Sequence, residues 1–138
     1  MTSDCLFCRI VRGEIPAKIV AETEDCIAFR DIDPKAPTHV LIVPRQHVAS
    51  LVETQDAELV GKLSLLAARI AADEGIAARG WRTVVNTGPD AGQTVFHLHM
   101  HVMPRRNGEA LLPPASRKED AKVLEENAAK LAAALKGA

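Results

Sequence analysis

The sequence predicts an α+β fold, an antiparallel sheet of about five strands with one long helix laid across it and a C-terminal helical extension. Three observations point there. Short β-like runs succeed one another at hairpin spacing. A 3.6-residue apolar periodicity occupies the middle of the chain, and a second helical stripe follows a Pro-rich break near the end. The 138 residues make one domain, and 47% hydrophobic with 25% charged residues is the balance of a chain with a packed core.

Taken in order, Leu6 to Val11 forms a short helix that stops at Gly13, and Ile15-Pro16 forces extended chain. Lys18–Glu22 and Cys26–Asp31 are strands joined by the polar Thr23-Glu24-Asp25. After the turn-rich Asp33-Pro34-Lys35-Ala36-Pro37, a surface loop, His39 to Val43 is a third strand ending at Pro44. Asp56 to Glu74 is the long helix, with Leu59, Leu63, Leu66 and Ile70 on one stripe, acids in the first turn and Gly75 as its stop. Trp81–Asn86 and Val95–Met103 are strands joined by a loop with two glycines and a proline. Ser116-x-x-Glu119 is a capping box for a final helix carrying Ala121, Leu124, Ala128, Leu131 and Leu135 on one face.

Composition excludes several functions. A net charge of -1 supplies no field to draw the chain onto nucleic acid or an anionic membrane, and 3% aromatics is too few for a base-stacking platform. With no apolar leader or 18-residue apolar run, the chain reads as cytoplasmic. Three cysteines do not make a disulfide framework, whereas Cys5-x-x-Cys8 suits metal or redox chemistry. Cys26, alternating with Ile27 in a strand, reads as a core thiol.

The segment Phe96-His-Leu-His-Met-His-Val102 carries the chemistry. On a strand, side chains alternate, so His97, His99 and His101 share one face, about 6.6 Å apart in steps of two. One ligand can touch two of them. From spacing alone, both a transition-metal site and imidazole catalysis stand open.

The wider pattern resembles the histidine triad (HIT) family, over roughly residues 4–106. His97-Leu-His-Met-His-Val-Met103 matches the family's His-φ-His-φ-His-φ-φ signature, where φ is apolar. Glu14-Ile-Pro-Ala-Lys18, Phe29-Arg-Asp-Ile-Asp-Pro-Lys-Ala-Pro-Thr-His39, Pro44-Arg-Gln-His47, Val84-Val-Asn86 and Gly92-Gln-Thr-Val95 follow the family's order. The resemblance implies a HIT fold over 1–106, with 107–138 as an extension of the same single domain. It also implies hydrolysis or transfer at the α-phosphorus of purine nucleotide conjugates, with AMP- or GMP-type ligands. His99 would be the nucleophile that forms a nucleotidyl-histidine. His97 and His101 would orient it and donate to phosphate, and His39 would join as a fourth histidine. Asp31 would bind the ribose hydroxyls, and Leu6, Phe7, Ile10, Phe29 and Ile32 would form the base slot. Asn86, Gly92, Gln93 and Thr94 would face the phosphates.

Two thiolates at CxxC spacing need two further ligands to enclose zinc. In the related galactose-1-phosphate uridylyltransferases and many bacterial HIT proteins, a mid-chain His and the first triad His complete such a site. The corresponding positions are His47 and His97, which with Cys5 and Cys8 would hold a structural Zn²⁺, and catalysis would need no cofactor. The family also implies a homodimer, with the long helix and the strand near Trp81 as the interface. Between substrates the pattern is divided. The N-terminal half resembles the Hint branch of phosphoramidases, and Gly92-Gln-Thr-Val95 with Val102-Met-Pro-Arg105 resembles the dinucleoside polyphosphate hydrolases. A helical tail without aromatic residues departs from the Hint pattern. A nucleotide-binding regulator with little turnover is the rival from another class.

Overall fold

The computed structural model describes residues 4–31, 39–73, 80–104 and 120–135. The chain divides into two compact units, residues 1–107 and 108–138. In the first, α1 (Leu6–Val11), β1 (Ile19–Glu22), β2 (Cys26–Arg30), β3 (Val40–Pro44), α2 (Ala57–Asp73), β4 (Trp81–Val84) and β5 (Met100–Pro104) follow in sequence. All pairings are antiparallel and the sheet order is β1-β2-β3-β5-β4.

The two-residue period of the strands divides this sheet into two apolar faces. Cys26, Ala28, Val40, Ile42, Met100 and Val102, with Leu98, pack on Leu59, Leu63, Leu66, Ala67 and Ile70 of α2. Fully burying each of those leucines contributes ~2 kcal/mol. The opposite face offers Ile27, Phe29, Leu41 and Val43, and Phe7 of α1 covers it. The sheet is thus covered on one face by a long helix and on the other by a single short one.

The ends of the elements have local causes. Gly13, at φ +79°, closes α1 in a Schellman arrangement: its N–H donates to Ile10 C=O at 3.0 Å, and Glu14 N–H to Arg9 C=O at 2.9 Å. Thr23 turns the first hairpin, its Oγ1 accepting from Cys26 N–H at 3.0 Å. Asp56 caps α2, with Oδ1 accepting from Leu59 N–H at 3.0 Å.

The strand carrying the histidines differs from expectation. Regular pairing starts at Met100 rather than Val95, and β4 ends at Val84 rather than Asn86. The backbone ahead of Met100 is held elsewhere, since Leu98 N–H donates to Val48 C=O at 2.7 Å. Side chains still alternate, with Leu98, Met100 and Val102 toward α2. The loop 33–37, Ile32, Gly75 and the Ser116–Glu119 capping box lie outside the described residues.

The second unit contributes α3 (Ala121–Leu135), where Asp120 Oδ1 accepts from Lys122 N–H at 2.8 Å. No described helix is long and apolar enough to cross a membrane.

Candidate active site and metal cluster

His99 is buried where two cavities meet on the α1 side of the sheet. Its Nδ1 lies 2.8 Å from the carbonyl oxygen of His97. A carbonyl can only accept, so Nδ1 carries a proton, and it is the Nε2 lone pair that the neutral ring presents. Phe7 meets the ring edge to face at 5.1 Å, and Phe7 in turn rests on Phe29 at 5.5 Å. The side chain and its tautomer are therefore fixed by α1, β2 and the backbone two residues upstream.

Beside it, His101 Nδ1 and His39 Nε2 are 2.8 Å apart, and His39 Nε2 is 3.5 Å from Asp31 Oδ2. Asp31 follows β2, His39 precedes β3 and His101 lies on β5, so strand pairing, continued by the Asp31 N–H bond to His39 C=O, assembles this chain of polar groups. Burial pushes His101 down to about 4; His99 and His39 add to the fall and Asp31 opposes it. His101 is accordingly neutral at pH 7, able to donate from one nitrogen while accepting at the other.

One cavity, about 310 Å³, is lined by Leu6, Phe7, Ile10, Phe29 and Leu41 and reaches Asp31, Thr94, His99 and His101. It is an apolar slot with a carboxylate and two imidazoles at its mouth. The second, about 460 Å³, runs from Asp31 and His39 past His99 and His101 to Asn86, Gly92, Thr94, Arg82, Val84 and Met103. Sequence reasoning missed Ile15, Pro16, Ala17, Arg30, Leu41 and Val95 in the first cavity and Arg82, Val84 and Met103 in the second. The period-two alternation was available for Leu41, which pairs with Phe29, and for Val84, which pairs with His101.

Two expected site residues are placed differently. The His97 ring lines neither cavity; its backbone carbonyl orients His99, while its side chain is fully buried in another cluster. Gln93 is buried and turned inward. Its Oε1 accepts from Gly88 N–H at 2.9 Å, and Nε2 donates to Ala49 C=O at 2.8 Å and Val95 C=O at 3.1 Å. Those bonds occupy the amide, so Gln93 shapes the loop instead of meeting a ligand. Gly92, at φ +95°, ends the 3₁₀ turn Pro89–Ala91; a Cβ there would meet only Asn86 Nδ2 at 3.9 Å, so conformation rather than space calls for glycine.

The cluster around His97 unites Cys5, Cys8 and His47. His97 Nε2 donates to Pro44 C=O at 2.8 Å, which leaves the Nδ1 lone pair facing His47 Nδ1 at 3.2 Å, Cys5 Sγ at 3.4 Å and Cys8 Sγ at 3.5 Å. Cys8 Sγ and His47 Nδ1 are 3.3 Å apart. In a tetrahedral zinc site the edges are about 3.3 Å between nitrogens and about 3.6 Å between nitrogen and sulfur. The four side chains fit such an ion, and the His97–carbonyl bond is the outer contact that fixes a ligand's tautomer. Burial pushes His97 down to about 4; the Pro44 hydrogen bond opposes this, and His47 and His99 add to the fall.

The model of the HIT domain matches residues 12–108. An uncharacterized HIT-like protein of Synechococcus elongatus is 49% identical over 109 residues, 78% of this chain and 95% of that protein. The purine nucleoside phosphoramidase of Escherichia coli is 41% identical over 108 residues, covering 77% of this chain and 91% of that enzyme. Among solved structures, a histidine triad nucleotide-binding protein from Candida albicans superposes with a TM-score of 0.84 at 29% identity, covering 96% of this chain and 98% of its own.

Proposed function

The chain belongs to the HIT domain family, and on that premise we propose that it cleaves purine nucleotide conjugates at the α-phosphorus through a nucleotidyl-His99 intermediate. The observation that carries this reading is the His99 Nδ1–H bond to His97 C=O. It leaves an unprotonated Nε2 on a ring shared by an apolar slot and a polar cavity. The base enters the slot, Asp31 accepts from the ribose hydroxyls, and the α-phosphorus comes to Nε2. An N–P bond forms as the bond to the leaving group breaks, and the leaving group takes up a proton from solvent as it departs. Water then attacks phosphorus and the N–P bond breaks, returning the lone pair to His99 Nε2; one of the water's protons goes to solvent in place of the one taken up, and the other stays with the AMP product. With His39 Nε2–H donating to His101 Nδ1, the Nε2–H of His101 is left to donate to a phosphate oxygen. The name of the Escherichia coli relative supports an amine as leaving group.

Mass spectrometry during turnover of an AMP phosphoramidate tests this reading. The unsubstituted protein is expected to carry an AMP adduct, and His99→Asn to lose turnover while still binding AMP. Normal kcat in His99→Asn would overturn it. Diadenosine tri- and tetraphosphate, assayed beside AMP-lysine and AMP-morpholidate, separate the polyphosphate hydrolase from the phosphoramidase, and no turnover of any would mark a binding protein.

Cys5, Cys8, His47 and His97 would hold one structural Zn²⁺. Their edge lengths and the His97 tautomer support this, and bound zinc would tie α1 to the segment ahead of β5. The chain also pairs with a second copy of itself on this reading. β4 is an edge strand, and the outward side of α2 presents Gly61, Leu65, Ala68 and Ala72, with Leu65 74% exposed. Light scattering of Leu65→Glu is expected to show monomer where the unsubstituted protein shows dimer.

A further inference from the structure

We propose that Arg82 forms an anion subsite for the leaving group, so that the enzyme prefers conjugates whose departing half carries a carboxylate or phosphate close to the scissile bond. The inference rests on the nucleotidyl-transfer reading and extends it to the half of the substrate that leaves.

The direction of the substrate follows from the order of the strands. The apolar slot stands over β2 and β3, where Phe29 and Leu41 pair; His99 and His101 belong to the β5 segment next to them; β4 lies beyond. A displacement at phosphorus needs the leaving group opposite the attacking nitrogen. With the base and ribose over β2 and β3, the space left for the departing half is the larger cavity, which extends toward β4 and has Arg82, Val84 and Met103 as its far wall.

The register puts Arg82 on the correct face. Val84 pairs with His101 and Arg82 with Met103, while Thr83 pairs with Val102, whose side chain packs toward α2. Arg82 and Val84 therefore share the His101 face, with Arg82 about 6.6 Å further along the strand. Arg82 is the one lysine or arginine among the described residues of that cavity, and Asp31 lies at the other end. Three strand spacings separate β2 from β4, roughly 14 Å. Asp31 thus stands at the ribose end of the cavity and Arg82 at the leaving-group end. A guanidinium in a partly buried wall recognises carboxylate and phosphate through paired N–H donors, which a neutral amine cannot exploit.

A matched pair of substrates isolates the charge: AMP joined through nitrogen to alanine, and the same conjugate of alaninamide. The unsubstituted protein is expected to favour the alanine conjugate in kcat/KM by about tenfold or more. Arg82→Gln should reduce kcat/KM for the alanine conjugate by that factor and leave the alaninamide conjugate within about twofold. Diadenosine triphosphate supplies the phosphate arm; a fall with Arg82→Gln there but not on alanine would assign the subsite to phosphate, and the reverse to carboxylate. Equal losses on charged and neutral conjugates, or no loss on any, would overturn the proposal. Binding of the same compounds to His99→Asn, with and without Arg82→Gln, reads the preference without turnover. A binding preference that disappears with Arg82→Gln in a protein that turns over nothing would refute nucleotidyl transfer and sustain the anion subsite; equal binding of all compounds would refute the subsite.

Discussion

At the scale of single residues, the site depends on which nitrogen each imidazole uses. Carbonyl acceptors set the tautomers of His97 and His99, and His101 shares its proton relation with His39. This has a pH consequence. His101 sits near 4 in the folded protein, and an unfolded histidine near 6.5. Between those values the unfolded chain binds more protons, so stability is complete above about pH 6.5 and declines as pH falls toward 4. Allowing for its partial exposure, the loss is about 2 kcal/mol. Urea midpoints at pH 7.5 and pH 5.0 should differ more in the unsubstituted protein than in His101→Asn, and equal differences would remove His101 as the cause. Gln93 illustrates what a residue pattern leaves unstated. Its motif placed it beside phosphate, but an amide four bonds from its backbone can turn either way, and here Gly88, Ala49 and Val95 capture it. Gln93→Ala orphans those partners, at about 1–3 kcal/mol for each buried group left unpaired, so it should lower the melting temperature and kcat together, while KM for AMP conjugates changes little.

At the scale of elements, α1 and α2 were legible because apolar spacing and caps agree, and β2 and β3 because both faces of the sheet are covered. The start of β5 was not. Val95, His97 and His99 alternate as a strand would, yet the Leu98–Val48 bond and the pull of the Cys–His cluster take this stretch out of the ladder. Its functional faces survived because alternation outlasts pairing. The cluster also explains how a six-residue helix can govern the site: Cys5 caps α1, Cys8 lies in its first turn, and Phe7 between them touches His99. If the cluster holds zinc as proposed, removing it should therefore act on the site through packing. Cys8→Ser, or chelation of the purified protein, is expected to lower the zinc content from about one per chain to none, reduce the melting temperature, and lower kcat by roughly tenfold through loss of the Phe7–His99 contact. Full activity in protein shown to be zinc-free would separate the cluster from the site.

At the scale of the whole molecule, the two units divide the functions unequally. Every described residue that lines either cavity lies between Leu6 and Met103, inside residues 1–107. The motif-bearing segments of the sequence likewise lie within residues 1–107. The sequence could not say what the apolar stripe of α3 meets, because a stripe defines a face and leaves its partner open. An isolated helix of 15 residues is marginal in water, so α3 needs a partner to be fully helical, whereas the apolar slot, Asp31 and His99 are residues of the first unit. Deleting residues 108–138 is therefore expected to leave kcat/KM for AMP-morpholidate and diadenosine triphosphate within about twofold. If the melting temperature falls while kinetics hold, α3 contributes packing energy and no substrate contact. A tenfold change in the preference between the two substrates at unchanged melting temperature would instead place the tail among the determinants of specificity, and the assignment of the site to the first unit would be wrong.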